Sequence, residues 1–204
     1  MKKIINNEMD IVFLLDRSGS MRGVEDDTIG GYNSYISNQM KNNVKVTTIL
    51  FDDQYEVLTD REDIKNIEEL TRDDYYVRGS TALLDAIGKS IVYMDKCKSK
   101  KAMFVITTDG YENASRKYSK EKIKRMIKKH NNFEFIYIGA DIDSYEEASS
   151  LGISRDNTAN YKKDRKGISK LFGAIAKASE MMFEDEELDV CWKKELDDYI
   201  EENS

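Results

Sequence analysis

Three short apolar runs stand out in the sequence, and each is followed closely by an aspartate. A run of five to seven residues that is almost entirely apolar is typical of a strand that is buried on both faces, as in a parallel sheet. The runs therefore predict three inner strands whose carboxyl ends lead into acidic loops. They are residues 9–15, 102–106 and 133–138, followed by Asp16, Asp109 and Asp141 respectively.

Helices are predicted between these strands. Apolar residues recur there at steps of three and four, which gives a helix one apolar face. The segments with this spacing are 29–40 (Ile29, Tyr32, Ile36 and Met40), 82–94, 119–130 and 168–182. A shorter helix is predicted from Ser144 to Leu151, because Ser144 and Glu147 have the spacing of a capping box. Gly30 and Gly31 weaken the first helix and suggest close packing onto the sheet.

A hairpin is predicted where two strand-like runs, 46–51 and 54–58, are separated by two aspartates. Residues 60–78 are polar and irregular, and a weak strand is possible at 157–161. The alternation of strands and helices predicts an α/β fold: a doubly wound, mostly parallel sheet with one antiparallel edge strand and helices on both faces. In such sheets ligands bind outside the carboxyl ends of the strands, where the strand order reverses.

The first strand end carries candidate metal chemistry. Asp16 is followed by Ser18 and Ser20, which places one carboxylate and two hydroxyls on a short loop. Oxygen atoms are the ligands that a small, hard cation such as Mg²⁺ prefers, but three oxygens give only part of a coordination shell. Two further pieces can supply the rest: Thr81 after a glycine and a serine, and Asp109 between Thr108 and Gly110. If the first and second inner strands are neighbours, the two carboxylates converge.

These three motifs, in this order and between elements of these types, resemble the metal-ion-dependent adhesion site of the von Willebrand factor A family, here a bacterial-type intracellular member. The resemblance implies a Rossmann-like fold. It also implies that Ser18 and Ser20 bind the metal through their hydroxyls and that Thr81 joins directly or through water. Asp16 and Asp109 would act mainly through waters or hydrogen bonds. The sequence does not depart from the family pattern at these five positions.

The resemblance also implies a function. A Mg²⁺ ion, with Mn²⁺ or Ca²⁺ as possible substitutes, would accept an Asp or Glu carboxylate from a protein partner as its last ligand. The chain would then be a metal-dependent protein-binding module that serves assembly or regulation, and not an enzyme. Glu112 brings another carboxylate close to the site, and we expect it to be solvated, with a role in the partner rim as the alternative.

Two other functions fit parts of the sequence. Asp16 beside Mg²⁺ could be the nucleophile of a phosphotransferase or phosphatase, although the haloacid dehalogenase family would have a second aspartate where Ser18 stands. The basic helix at 120–129 could bind nucleic acid or another anionic partner. Solvated helix surface is the simpler explanation of that charge, so nucleic acid is not the partner that we expect.

The C-terminal segment differs from the rest of the chain. Residues 184–204 hold ten acidic residues and two lysines, so the net charge of −7 comes from this segment. We therefore divide the chain into a domain at 1–183 and an acidic amphipathic segment at 184–204. Its apolar residues recur at helical steps, which predicts a short helix that docks on its own domain or on a partner: Leu188, Trp192, Leu196 and Tyr199.

Cellular location is the last expectation from sequence. Polar residues interrupt the N-terminal segment, and no run reaches the length of a membrane span. Cys97 and Cys191 lie far apart and outside any CxxC pair, so we expect free thiols. These features predict a cytoplasmic protein without a membrane anchor. The sequence leaves its oligomeric state open.

Overall fold

The computed structural model describes residues 8–39, 43–140 and 142–203. Its centre is one six-stranded sheet, made of β1 (Met9–Asp16), β2 (Val44–Phe51), β3 (Tyr55–Asp63), β4 (Ala102–Thr108), β5 (Phe133–Gly139) and β6 (Thr158–Asn160). The strand order is β3-β2-β1-β4-β5-β6. All neighbouring pairs are parallel except β2 and β3. The fold class predicted from the sequence is therefore confirmed.

Helices cover both faces of the sheet. They are α1 (Glu25–Gln39), α2 (Leu83–Lys96), α3 (Lys120–Lys129), α4 (Ser144–Leu151), α5 (Arg165–Phe183) and α6 (Lys194–Glu202). Residues of α1 and α5 share one apolar cluster with one face of the sheet. Residues of α2, α3 and α4 form the second cluster on the other face. This two-sided cover explains why the inner strands are apolar without alternation.

Strand β1 lies in the middle of the sheet, and its side chains alternate between the two apolar clusters. Ile11, Phe13 and Leu15 point into the cluster of α1 and α5. Val12 and Leu14 point into the opposite cluster. Each of these side chains is fully buried, and burial of one such side chain contributes about 1.5–3 kcal/mol. The strand is therefore fixed firmly beneath the loop that begins at Asp16.

The second strand of the hairpin is longer than predicted. β3 continues to Asp63, although the sequence predicts irregular structure from residue 60 onward. β3 pairs only with β2 and lies at the edge of the sheet, where charged side chains are tolerated. One of these charges has a partner, because Arg61 Nε donates to Oδ1 of the buried Asp10 at 2.8 Å.

Two local details correct the sequence analysis. Gly31 packs closely against α5 and not against the sheet, since a Cβ at this position would lie 2.2 Å from the ring of Phe172. The N-cap of α4 is Asp143 and not Ser144, because the Asp143 side chain accepts a hydrogen bond from the Glu146 N–H. Met40 and Asp141 fall outside the described residues.

The C-terminal segment contains a short 3-10 helix, Val190–Lys193, followed by α6. Trp192 is 1% exposed and Leu196 is fully buried, and both belong to the apolar cluster of α1 and α5. The Trp192 Nε1–H donates to the Asp156 carbonyl at 2.9 Å. Tyr199 donates its hydroxyl to Asp164. The division of the chain at 183 stays a prediction.

Candidate functional site

The strand order places the first and second aspartates at the same edge of the sheet. From β1 the order runs outward to β2 and β3 on one side and to β4, β5 and β6 on the other. Asp16 is the last residue of β1, and Asp109 follows β4 directly. These strands are neighbours, so the two carboxylates meet at the switch point of the sheet, as the sequence predicted.

Asp16 is fully buried, and both of its carboxylate oxygens have protein donors. The Ser18 backbone N–H donates to Oδ1 at 2.7 Å, and the Thr108 hydroxyl donates to Oδ2 at 2.5 Å. Burial raises the pKa of Asp16 to about 6, with a smaller contribution from the charge of Asp109 and opposition from these hydrogen bonds. A cation nearby would favour the ionised form. Sequence reasoning gave Thr108 no role.

Three hydroxyls converge on one point at this edge. The Ser18 and Ser20 Oγ atoms are 3.0 Å apart. A Cβ at Gly110 would lie 2.9 Å from Thr81 Oγ1, 3.1 Å from Ser20 Oγ and 3.7 Å from Ser18 Oγ. A side chain at Gly110 would therefore fill the space that the three hydroxyls face. The glycine keeps this space open.

The loop that carries Thr81 is tied to its neighbours by backbone hydrogen bonds. Gly79 has a φ of +68°, a conformation that favours glycine, and its carbonyl accepts from the Gly19 N–H at 3.2 Å. The Thr81 N–H donates to the Asn113 side chain at 2.9 Å. In return, the Asn113 N–H donates to the Thr81 carbonyl at 3.0 Å. The three loops of the site thus hold one another in place.

A buried ion-pair network supports the loops from below. Arg17 is fully buried, and its Nε donates to Asp52 Oδ2 at 3.0 Å. Arg78 Nε donates to the same oxygen at 2.7 Å, and a second Arg17 nitrogen contacts Glu56 at 2.6 Å. Burial alone would raise the pKa of Asp52, but hydrogen bonds from Arg78 and the Gln54 N–H, together with the charge and hydrogen bond of Arg17, outweigh it and lower the pKa. Asp52 therefore pairs with two guanidinium groups beneath the site, those of Arg17 and Arg78.

Glu112 is half-buried and makes hydrogen bonds within the protein, so the expectation of a solvated side chain is wrong, and its role in a partner rim stays a prediction. Its carboxylate accepts hydrogen bonds from the backbone N–H groups of Leu84, Ala114 and Ser115 and from the Ser115 hydroxyl, at 2.7–2.9 Å. The N-cap of α2, Ala82, has no capping side chain of its own. Glu112 therefore satisfies a free N–H at the start of α2 and fixes the loop after Asp109.

Lys163 is a residue of the site that sequence reasoning missed. Its Nζ lies 2.7 Å from Oδ2 of Asp109, whose side chain is fully buried. This contact is an ion pair, and neither Asp109 oxygen has a hydrogen-bond partner among the described residues. Lys163 lies between β6 and α5, far from the three motifs in sequence. No local pattern marks it.

The donor set determines which ligand the site could hold. The described part of the chain contains no group of three or more His, Cys, Asp or Glu side chains suited to a metal ion. The site offers hydroxyl and carboxylate oxygens instead, and these suit a hard divalent cation. The structure brings the five residues named from the sequence to one edge of the sheet: Asp16, Ser18, Ser20, Thr81 and Asp109.

The length and apolarity of the described helices decide whether any of them could cross a membrane. Within residues 8–39, 43–140 and 142–203, none combines the length and apolarity that a membrane-spanning helix requires.

The exposed side chains of α3 are mainly lysine and arginine. One of its lysines, Lys120, is paired with Glu147 at 2.8 Å.

Comparison with solved structures gives matches to the fold. Proximal thread matrix protein 1 from the mussel byssus, solved with a zinc-occupied MIDAS motif (metal-ion-dependent adhesion site), is 15% identical to this chain. Its TM-score is 0.62, and the match covers 85% of this chain and 46% of that chain. A von Willebrand factor type A protein from Catenulispora acidiphila is 14% identical, with a TM-score of 0.63 over 85% and 42%. The ArnB paralog VWA2 from Sulfolobus acidocaldarius is 20% identical, with a TM-score of 0.56 over 83% and 44%.

This chain therefore spans less than half the length of these three solved chains. Comparison with curated protein sequences gives no significant match. The family model for the von Willebrand factor type A domain matches residues 10–174, which run from β1 into α5. The match includes all three loops of the site. On this evidence the chain belongs to the von Willebrand factor type A domain family.

Proposed function

We propose that this chain is a metal-dependent protein-binding module. A divalent cation, Mg²⁺ or in its place Mn²⁺ or Ca²⁺, would be held by Ser18, Ser20 and Thr81 with the support of Asp16 and Asp109. The observation that carries the proposal is the convergence of three hydroxyls on the open space at Gly110. The family has metal-dependent roles in protein interaction, and the solved mussel protein has zinc at the corresponding motif.

The hydrogen bonds suggest a separate task for each group. Both oxygens of Asp16 are engaged by Ser18 and Thr108, which suits a carboxylate that orders the loop. The hydroxyls of Ser18, Ser20 and Thr81 face the common space and suit direct contact with the ion. The buried Asp109 carboxylate adds negative charge beside them. The ion, when bound, supplies an open coordination position for an Asp or Glu side chain of the partner.

The surface around the site suits a protein partner. Tyr76 and Tyr111 flank the loops and are 44% and 54% exposed. The centre of the Tyr76 ring also lies 5.3 Å from the guanidinium carbons of Arg17 and Arg78, within the range of a cation–π contact. Exposed aromatic side chains are enriched in protein interfaces. They could therefore pack against a partner whose carboxylate reaches the metal.

The arrangement of Asp16 disfavours the phosphotransferase alternative. A nucleophilic carboxylate needs an oxygen that can reach a phosphorus atom. Asp16 is fully buried, and both of its oxygens already accept hydrogen bonds. The described geometry thus suits a supporting role for this carboxylate and not attack on a substrate.

Capture of a partner from lysate of the native cell should depend on the metal. We expect the immobilised chain to retain an acidic-motif partner in Mg²⁺ and to release it in excess chelator, with at least a tenfold loss of retained protein. Ser20→Ala should give the same loss in Mg²⁺ because it removes one hydroxyl that faces the metal space. Ser80→Ala is the matched control, since Ser80 is exposed on the neighbouring loop. A partner retained equally with and without chelator would refute the proposal.

A further inference from the structure

Lys163 places a positive charge inside the candidate metal site. Its ammonium group lies 2.7 Å from Oδ2 of Asp109 and also donates a hydrogen bond to the backbone carbonyl of Ser20. In the proposed site, Asp109 would supply negative charge beside the metal, and the Ser20 hydroxyl would be a ligand. The lysine side chain is 23% exposed. It is therefore a component of the site and not a freely solvated surface lysine.

The backbone on both sides of Lys163 is fixed. On one side, the Tyr161 N–H donates to the Gly139 carbonyl at 2.9 Å. On the other, Asp164 caps α5 by accepting from the Gly167 N–H at 2.7 Å. These anchors keep the ammonium within reach of Asp109. A tethered group has a high effective concentration at its target, so it can compete with an ion that arrives from solution.

We propose that Lys163 is a built-in competitor of the metal ion. Its ammonium and the divalent cation would neutralise the same carboxylate, Asp109, and two cations a few ångströms apart repel each other. Metal loading would then require Lys163 to leave Asp109, and the lysine would raise the metal concentration at which the site fills. This inference rests on the proposed metal site and adds to it a residue that sets metal affinity.

The test is calorimetric titration of the full chain with Mn²⁺, using four proteins. Lys163→Met keeps the length of the side chain without the charge, and we expect it to bind Mn²⁺ about tenfold more tightly than the wild type. Lys163→Arg keeps the charge and should stay within about twofold of the wild type. Lys162→Met is the matched control, because it removes the same charge one residue away. The Lys162 side chain donates to the Asn203 carbonyl and not to the site. It should also stay within about twofold.

The outcomes distinguish failure of the inference about Lys163 from failure of the proposed metal site. Tighter binding by Lys163→Met alone supports competition, as does binding by this variant when the wild type shows none. Equal or weaker binding by Lys163→Met overturns the inference and leaves the metal site standing, and equal gains in Lys163→Met and Lys162→Met overturn it as well. If none of the folded proteins binds Mn²⁺, both the inference and the proposed function fail. Thermal unfolding of each variant verifies that it is folded.

Discussion

Asp52→Ala is expected to lower the free energy of unfolding by about 3–5 kcal/mol, because it leaves the buried Arg17 guanidinium with only the half-exposed Glu56 as an ion-pair partner. Asp52 is fully buried and accepts from Arg17 and Arg78. Arg17 is itself fully buried, so its guanidinium cannot recover this interaction from water. Urea denaturation measures the change.

Two further variants test whether the lost stability comes from the broken ion pairs of Asp52 or from any substitution in this loop. Asp53→Ala changes the adjacent, exposed aspartate and should cost less than about 1 kcal/mol. Arg17→Met in the Asp52→Ala background removes the buried charge that has lost Asp52 and should restore part of the lost stability. The account of the network is wrong if Asp52→Ala costs no more than Asp53→Ala.

Trp192→Ala is expected to cost about 3–5 kcal/mol, the usual range for truncation of a buried tryptophan. Trp192 is 1% exposed, lies in the cluster of α1 and α5 and donates to the Asp156 carbonyl. Its removal would leave a cavity beneath the C-terminal segment. Chemical denaturation again provides the measurement.

The control for Trp192 lies in the same short helix. Val190 is 51% exposed, so Val190→Ala should change stability by less than about 1 kcal/mol. If Trp192→Ala has an equally small effect, the segment does not stabilise the domain in solution. A partner would then be the better explanation of its apolar face.

The strands and the position of the site could be predicted because their causes are local. Apolar runs at 11–15 and 102–106 indicate strands that are buried on both faces. A general rule for such sheets then places Asp16 and Asp109 at a shared edge. The structure confirms this arrangement, since β1 and β4 are neighbours.

The supporting residues could not be predicted because they depend on tertiary contacts. Asp52 meets Arg17 and Arg78 only after the β2 end and two loops come together. Glu112 is a helix cap supplied from a distant loop, whereas capping motifs in a sequence are local. Lys163 reaches Asp109 from the loop after β6. No spacing in the sequence relates any of these pairs.

The length of β3 was missed for a different reason. Residues 60–63 are all charged, which is the composition of a loop in a pattern-based analysis. At the edge of a sheet, a strand has one free side and can carry such residues. The pairing of β3 with β2 continues past an irregularity between Thr59 and Glu62, where Arg61 has a φ of +46°. The ion pair between Arg61 and Asp10 helps to hold this part of the chain against the sheet.

Direct titration of the isolated chain with Mg²⁺ and Mn²⁺ tests the central claim, which is that the three hydroxyls and two carboxylates form a metal site. We predict one ion bound per chain, at least a tenfold weaker affinity in Ser20→Ala, and an unchanged affinity in Ser80→Ala. The claim is contradicted if neither the folded wild type nor folded Lys163→Met binds either ion at millimolar concentration, or if Ser20→Ala binds as tightly as the wild type.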